Sequence, residues 1–123
     1  MILAVEDDPV AAQLIEETLR PLRQPFVVVG TVADAMARAA RSAPAVIVCD
    51  LGLPDGDGLA LARTIRGLPG MRTVPLIFCT SDVSAASVST AIRLGGVDYV
   101  AKPIDPDALR ERVQRALQKA RVA

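Results

Sequence analysis

Residues 46–50, VIVCD, form a short apolar run that ends on a carboxylate. Three other runs in the chain have the same pattern of apolar residues followed by a polar one, and together they indicate the fold. ILAV at residues 2–5 leads into Glu6-Asp7-Asp8, LIFC at residues 76–79 leads into Thr80, and YVA at residues 99–101 leads into Lys102-Pro103. Short apolar runs that alternate with helix-period segments predict buried parallel strands. Ligands bind at the carboxyl ends of such strands, so the acids, the hydroxyl and the ammonium should meet in one crevice.

The composition of the chain limits the classes of protein and of binding partner to consider. The chain has 123 residues, 51% of them hydrophobic, and its formal net charge is zero. This length predicts a single domain over residues 1–123 with a core of its own. A neutral chain is a poor partner for nucleic acid or an anionic membrane. We find no signal peptide and no apolar run near the roughly 18 residues of a membrane span, so we expect a cytoplasmic protein.

The remaining sequence alternates strand and helix five times. Phe26–Val29 is predicted as the second strand, and the residues 51–58 between the third strand and the third helix are predicted to be a loop. The first predicted helix runs from Asp8-Pro9 to Arg20-Pro21, and the second covers Ala33–Arg41. The third carries Leu59, Ala62 and Ile65 and ends before Gly67 or Pro69. The fourth runs from about Ser84 to Leu94, and the fifth begins after Asp105-Pro106. The stretch 21–25 is rich in proline and basic residues, which should stiffen that turn.

The uncharged end of the second strand indicates the strand order. Because the other four strands must be neighbours to bring their polar ends together, the second strand lies at an edge. We therefore predict an α/β fold, a doubly wound five-stranded parallel sheet of order 2-1-3-4-5 with five helices. Its switch point lies between strands one and three, which places Asp7 and Asp50 on either side of the crevice.

The grouping of these residues suits a divalent cation and a phosphoryl group. Carboxylates packed closely repel each other, and a divalent cation relieves that repulsion and screens phosphoryl oxygens. Hard oxygen ligands select magnesium or manganese over zinc. Phosphoryl transfer needs mainly an oriented oxygen nucleophile and charge neutralisation. Lys102 supplies a point charge, and Thr80 supplies a neutral donor that can rotate.

Several polar residues also have simpler interpretations. Asp8 and Asp57 are expected as helix N-caps, Asp55 as a turn residue near enough to affect cation affinity, and Asp82 or Ser84 as the cap of the fourth helix. The basic stripe Arg112, Arg115 and Lys119 is expected to be a solvated face. Cys49 and Cys79 are expected to be buried, inert thiols, although a disulfide is open to them under oxidation if their strands are neighbours.

These residues, taken in order, resemble the receiver domain of bacterial two-component response regulators over the whole chain. The matching elements are Val5-Glu6-Asp7-Asp8, Cys49-Asp50 with Pro54 and Gly58, Thr80-Ser81, and Tyr99-Val100-Ala101-Lys102-Pro103. The resemblance implies the flavodoxin-like version of the predicted fold. It also implies that an aspartate accepts a phosphoryl group from a partner histidine kinase.

The resemblance assigns a role to each site residue. Asp50 is similar to the phosphoacceptor, and Lys102 to the lysine that pairs with the phosphoryl group. The implied magnesium ligands are Asp7, Asp50, the carbonyl of Gly52, and Glu6 through water. Thr80 resembles the switch hydroxyl, Tyr99 the aromatic that moves inward on activation, and Lys102-Pro103 the cis peptide of this family. Ser81 keeps the position after Thr80 small, which leaves room for the phosphoryl group. The resemblance also implies a second role for Asp82, since receivers use the position two after Thr80 to tune the lifetime of the phosphate.

The predicted function is a phosphorylation-dependent signalling switch, which is no enzyme beyond its own phosphorylation and dephosphorylation. The upstream partner would be a histidine kinase or a phosphotransfer protein. The downstream partner would be a protein target, a fused output domain or a second receiver, and it would read the fourth helix, fifth strand and fifth helix. No direct nucleic acid contact is expected. The alternative is a pseudo-receiver, an interaction module without phosphoryl chemistry. Whether the receiver is free-standing or cut from a larger regulator stays open.

Overall fold

Each apolar run of the sequence forms a strand of one parallel sheet in the computed structural model, which describes residues 1–82 and 84–122. The strands are β1 (Ile2–Val5), β2 (Phe26–Val29), β3 (Val46–Cys49), β4 (Leu76–Thr80) and β5 (Gly96–Ala101). Their order in the sheet is β2-β1-β3-β4-β5, as predicted. Val5 lies opposite Cys49, and Cys49 lies opposite Phe78, so the carboxyl ends of the central strands are level.

Five helices alternate with these strands along the chain. They are α1 (Pro9–Leu19), α2 (Val32–Arg41), α3 (Gly58–Arg66), α4 (Ala85–Arg93) and α5 (Pro106–Val122). A short 3₁₀ turn, Arg20–Leu22, follows α1, and Arg23 then takes a left-handed conformation with φ of 56°. No helix within the two described ranges is long and apolar enough to cross a membrane. The predicted end of the domain at Ala123 lies outside the described residues.

The expected helix caps are present. The side chain of Asp8 accepts a hydrogen bond from the N–H of Ala11, and that of Asp57 accepts one from the N–H of Leu59. Both predicted candidates contribute to the start of α4, because Ser84 accepts from the N–H of Ser87 while Asp82 accepts from the N–H of Ser84. These bonds satisfy N–H groups that a helix leaves without an internal partner.

The sheet is covered on both faces, and successive strand residues face opposite sides. Leu3, Val5, Ile47 and Phe78 belong to one buried cluster together with residues of α2 and α3. The second cluster contains residues of α1 and α5 together with alternate strand residues: Ile2, Ala4, Val48 and Ile77.

This alternation decides the state of the two cysteines. Cys49 belongs to the first cluster and Cys79 to the second, although their strands are neighbours. Cys49 lies opposite Phe78, so Cys79, one residue further along, faces the other side of the sheet. Both thiols are free and buried, as expected. The alternative prediction of a disulfide between Cys49 and Cys79 is wrong, because the two sulfurs lie on opposite faces of the sheet.

The main differences from the sequence prediction lie in β5 and in the loop after β3. β5 begins at Gly96, three residues before the predicted start at Tyr99. The predicted loop after β3 contains a two-residue antiparallel ladder, in which Gly52–Leu53 pairs with Gly56–Asp57. We call residues 52–57 the site hairpin, because they begin two positions after Asp50.

Candidate functional site

Three carboxylates meet at the carboxyl edge of the sheet. β1 runs into Glu6 and Asp7, and its neighbour β3 runs into Asp50. Ligand oxygens of all three side chains lie within 4.8 Å of one another. The backbone fixes this arrangement, because the N–H of Asp50 donates to the carbonyl of Val5 at 3.0 Å and that of Glu6 donates to the carbonyl of Val29 at 2.8 Å.

The three acids differ in burial. Glu6 is 2% exposed and Asp50 is 8% exposed, whereas Asp7 is exposed to solvent. Burial raises the pKa of the Glu6 carboxyl above its ordinary value, and the charge of Asp50 adds to this rise while Lys102 opposes it. The cluster therefore combines two buried acids with one acid that can reach solvent.

Lys102 brings a single positive charge to the cluster from the end of β5. Its Nζ lies 2.6 Å from Oε1 of Glu6 and 3.0 Å from Oδ2 of Asp50. The contact with Glu6 is a close ion pair without the angles of an aligned hydrogen bond. Although partial burial acts to lower the pKa of Lys102, the contacts with Glu6 and Asp50 outweigh it and raise that pKa. The Lys102-Pro103 peptide bond is cis.

The next strand end contributes a buried hydroxyl. Thr80 is 3% exposed, and its Oγ1 accepts a hydrogen bond from the N–H of Asp82 at 3.2 Å. The backbone N–H of Lys102 donates to the carbonyl of Thr80 at 3.0 Å, which joins the ends of β4 and β5. A cavity of about 440 Å³ lies beside these ends, and its lining includes Asp50, Gly52, Asp57, Thr80, Ser81 and Asp82.

Tyr99 lies half-buried on the edge strand β5. Its ring is tilted by 41° against that of Phe78, with 6.2 Å between the ring centroids. Its hydroxyl donates to the backbone carbonyl of Asp82. Because the N–H of Asp82 donates to Thr80, one residue of the β4–α4 loop contacts both Thr80 and Tyr99.

The structure adds two contacts that the sequence analysis missed. The sequence provided Lys102 as a point charge for a phosphoryl group, and the structure shows it paired with Glu6 as well as Asp50. Asp55, expected as a turn residue, bonds the start of α2 across more than 20 residues of chain. No local pattern marks either contact, since both depend on how distant segments pack.

The composition of the site fits a divalent cation. Glu6, Asp7 and Asp50 offer only oxygen ligands, which hard cations such as Mg²⁺ prefer. When ionised, the three carboxylates carry three negative charges, and Lys102 offsets one. Two negative charges are then left at the described residues of the cluster. A doubly charged cation would neutralise them.

The comparison with known families agrees with this fold. The family model described as "Response regulator receiver domain" matches residues 2–114. The chain belongs to this family, which confirms the resemblance noted in the sequence. Receiver domains are signalling modules of two-component systems.

Individual relatives show the same relationship. The regulatory protein LuxO of Vibrio cholerae is 34% identical over 116 residues, which are 94% of this chain and 25% of LuxO. A putative response regulator from Chloroflexus aurantiacus is 28% identical, with a TM-score of 0.87 over 95% of this chain and 96% of that chain. The receiver domain of the sensor histidine kinase PA1611 from Pseudomonas aeruginosa is 33% identical, with a TM-score of 0.85 over 95% and 96% of the two chains. That structure has a magnesium ion in its active site cleft. The chain therefore spans about a quarter of LuxO and nearly all of the two solved chains.

Proposed function

We propose that this receiver is a magnesium-dependent signalling switch in which Asp50 accepts the phosphoryl group. One observation carries the proposal: Asp50 lies in the cavity at the carboxyl edge of the sheet, beside two further carboxylates and 3.0 Å from Lys102. An oxygen nucleophile, a cation site and a fixed positive charge are the parts that phosphoryl transfer requires.

Asp7, Asp50 and the carbonyl of Gly52 would hold the metal directly, and Glu6 would contact it through water. Bound magnesium or manganese would supply charge neutralisation for the incoming phosphoryl oxygens. The PA1611 receiver, with magnesium in its cleft at 33% identity, supports this assignment. The three-carboxylate cluster supports it independently.

Asp50 and Lys102 would then carry out the phosphoryl transfer itself. An oxygen of the Asp50 carboxylate forms the bond to phosphorus while the nitrogen–phosphorus bond of a donor phosphohistidine breaks, and the imidazole leaves as the phosphoryl group transfers. Lys102, already within 3.0 Å of Asp50, pairs with the phosphoryl oxygens. Water later attacks the phosphorus of the acyl phosphate, the bond from Asp50 to phosphorus breaks, and inorganic phosphate leaves with the Asp50 carboxylate regenerated. The receiver thus catalyses only its own phosphorylation and dephosphorylation.

Thr80 and Tyr99 would carry the signal away from Asp50. To donate to the phosphoryl group, the Thr80 hydroxyl must turn, which changes the bond that it accepts from Asp82. Tyr99 donates to the carbonyl of the same Asp82, so its hydroxyl is sensitive to any movement of that loop. The result would be a population shift at the face formed by α4, β5 and α5.

The partners follow from this chemistry. A histidine kinase or phosphotransfer protein would supply the phosphoryl group. A protein target, a fused output domain or a second receiver would read the α4–β5–α5 face. We assign these roles to residues 1–123 as one receiver domain. The relatives that carry further length, such as LuxO, support a fused output domain as one of these options.

Intact-mass measurement tests the acceptor. Incubation with acetyl phosphate or phosphoramidate and magnesium should add one phosphoryl group to the wild-type chain and none to Asp50→Asn. Asp57→Asn is the matched control, because Asp57 lines the same cavity and caps α3; it should still be labelled. Labelling of Asp50→Asn would move the acceptor to another residue. A wild-type chain that takes up no phosphoryl group under these conditions would favour the pseudo-receiver instead.

The switch assignment has its own test. Thr80→Ala should still be labelled at Asp50, because the hydroxyl is not the nucleophile. The amide resonances of β5 and α5 should shift less on phosphorylation in this variant than in the wild-type chain. Equal shifts in the two proteins would contradict a role of Thr80 in transmission.

A further inference from the structure

The side chain of Asp55 joins the site hairpin to the first turn of α2. Oδ1 of Asp55 accepts a hydrogen bond from the N–H of Val32 at 2.7 Å, and Oδ2 accepts one from the N–H of Ala33 at 3.1 Å. These two N–H groups belong to the first turn of α2 and have no partner within the helix. The helix's own cap, Thr31, accepts from the next N–H, that of Asp34, at 3.1 Å.

The other end of the hairpin is fixed by α3. Gly52 pairs with Asp57 in the two-residue ladder, and the side chain of Asp57 caps α3. The N–H of Gly58 donates to the carbonyl of Leu51 at 2.8 Å. The hairpin is therefore held by α3 at its base and by α2 at its tip.

The chain just before α2 lies against the acidic pair at the end of β1. A Cβ at Gly30, two residues before α2, would lie 3.7 Å from Cα of Asp7 and 3.8 Å from the carbonyl oxygen of Glu6. Thus the backbone before α2 packs against Glu6-Asp7, and the first turn of α2 binds the hairpin. The two chain segments that carry the proposed metal ligands are joined through one helix N-terminus.

We propose that Asp55 is a positioning residue for the cation site. Its carboxylate fixes the site hairpin against α2, which holds the carbonyl of Gly52 in register with Asp7 and Asp50. The hydrogen bonds from α2 also lower the pKa of Asp55, so its carboxylate is ionised at neutral pH. This inference rests on the proposed function, since it concerns the affinity of the same site. It further implies that cation binding reaches the first turn of α2.

Magnesium titrations of the full chain test the inference. We expect Asp55→Ala to raise the magnesium dissociation constant by about tenfold, the size typical for residues that orient metal ligands. Asp55→Asn keeps one acceptor oxygen and should fall between Asp55→Ala and the wild-type chain. Amide NMR supplies the second readout. The Val32 and Ala33 resonances should shift with magnesium in the wild-type chain and not in Asp55→Ala.

Thr31→Ala is the control for a purely structural effect. It removes the helix's own cap and should lower the melting temperature while leaving the magnesium dissociation constant within about twofold of wild type. If Thr31→Ala weakens magnesium binding as much as Asp55→Ala, the effect is loss of α2 stability and the inference is overturned.

Three further outcomes count against it. Equal losses of affinity in Asp55→Asn and Asp55→Ala that disappear in high salt would show that only the charge of Asp55 matters. An unchanged dissociation constant in Asp55→Ala, with magnesium binding intact in the wild-type chain, would overturn this inference alone. A wild-type chain that binds no magnesium would overturn the proposed cation site, and this inference with it.

Discussion

Gly58 and Gly52 belong to the same stretch after Asp50, yet only Gly52 has room for a side chain. A Cβ at Gly58 would lie 2.1 Å from the carbonyl oxygen of Asp50 and 2.8 Å from Cα of Leu51. Both contacts are with backbone, so they cannot be relieved by rotating a side chain. At Gly52 nothing lies within 4 Å of a built Cβ.

We therefore predict that Gly58→Ala destabilises the fold by about 1–3 kcal/mol, the usual range for an overpacked position. Gly52→Ala should change the free energy of unfolding by less than about 0.5 kcal/mol. Urea denaturation of both variants measures the difference. Equal stability of the two variants would mean that the backbone at Asp50 yields to the added methyl group.

Asp82 gives a residue-level prediction in pH. The hydroxyl of Ser87 donates to its Oδ2 at 2.7 Å and the N–H of Ser84 donates to its Oδ1, and these bonds lower the pKa of Asp82 below its ordinary value of 3.8. A carboxyl whose folded-state pKa is lowered stabilises the fold above its unfolded pKa and loses that contribution as pH falls through the folded value.

Asp82→Ala should accordingly be less stable than the wild-type chain at neutral pH. The gap should stay constant down to about pH 4 and shrink below that. Thermal unfolding of both proteins between pH 2.5 and 7 provides the measurement. A gap that widens as pH falls below 4 would contradict the sign of this linkage.

At the scale of single residues, the sequence predicted which side chains lie together at the carboxyl edge better than it predicted their contacts. Asp50, Thr80 and Lys102 each lie at the carboxyl end of a strand, and these ends share one edge of a parallel sheet, so the strand order was sufficient to group them. The two hydrogen bonds that Asp55 accepts from α2 span 23 and 22 residues of the chain. They depend on how the hairpin and α2 pack together, and no spacing along the chain encodes that.

At the scale of helices and strands, the side chain of Arg66 joins the ends of α3 and α4. It is the last residue of α3, and its guanidinium donates to the carbonyls of Met71, Val74, Leu94 and Gly95 at 2.6–3.2 Å. Leu94 and Gly95 follow α4, so the fork ties the turn after α4 to the turn after α3. Cations at helix C-termini are also favoured by the helix dipole.

Arg66→Lys should lower the free energy of unfolding by about 1–3 kcal/mol, because one ammonium cannot reproduce a planar fork over four carbonyls. Arg63→Lys is the matched control on the exposed face of the same helix and should have little effect. Chemical denaturation of the two variants measures this. If Arg66→Lys is as stable as Arg63→Lys, the four carbonyls are satisfied equally well by solvent.

The elements also show where prediction from sequence fails. The bounds of β1, β2 and β3 were predicted correctly, because each apolar run is followed directly by an acidic residue or glycine. β5 was predicted too short, since Gly95-Gly96 reads as the end of a helix and Asp98 interrupts the apolar run. In the sheet, Gly96 pairs with Leu76 and Asp98 with Ile77. The neighbouring strand thus extends β5 over residues with little strand preference of their own.

For the whole molecule, the sequence was enough to predict the order of the strands but not the face on which each side chain lies. The uncharged end of β2 placed it at the edge, and the structure agrees. Cys49 and Cys79 occupy equivalent positions in their runs, which suggested that they could meet. The register of β3 with β4 places them on opposite faces. Register emerges only when the sheet is assembled.

The two thiols therefore report on the opening of both halves of the core. Cys49 is 2% exposed and Cys79 is 1% exposed. Burial raises the pKa of Cys49 above its ordinary value and that of Cys79 to about 12, so neither is a thiolate in the folded state at pH 8. Each thiol lies in the cluster between the sheet and the helices of its own face, so exposing it requires that face of the core to open.

We predict that iodoacetamide labels both cysteines at the same slow rate at pH 8, a rate that follows the free energy of unfolding. Magnesium at ten times its dissociation constant should slow both by about tenfold, since a ligand that binds only the folded state adds RT ln(1 + [L]/Kd) to stability. Peptide mapping by mass spectrometry resolves the two sites. Faster labelling of one cysteine, unaffected by magnesium, would show that one face of the core opens separately from the site.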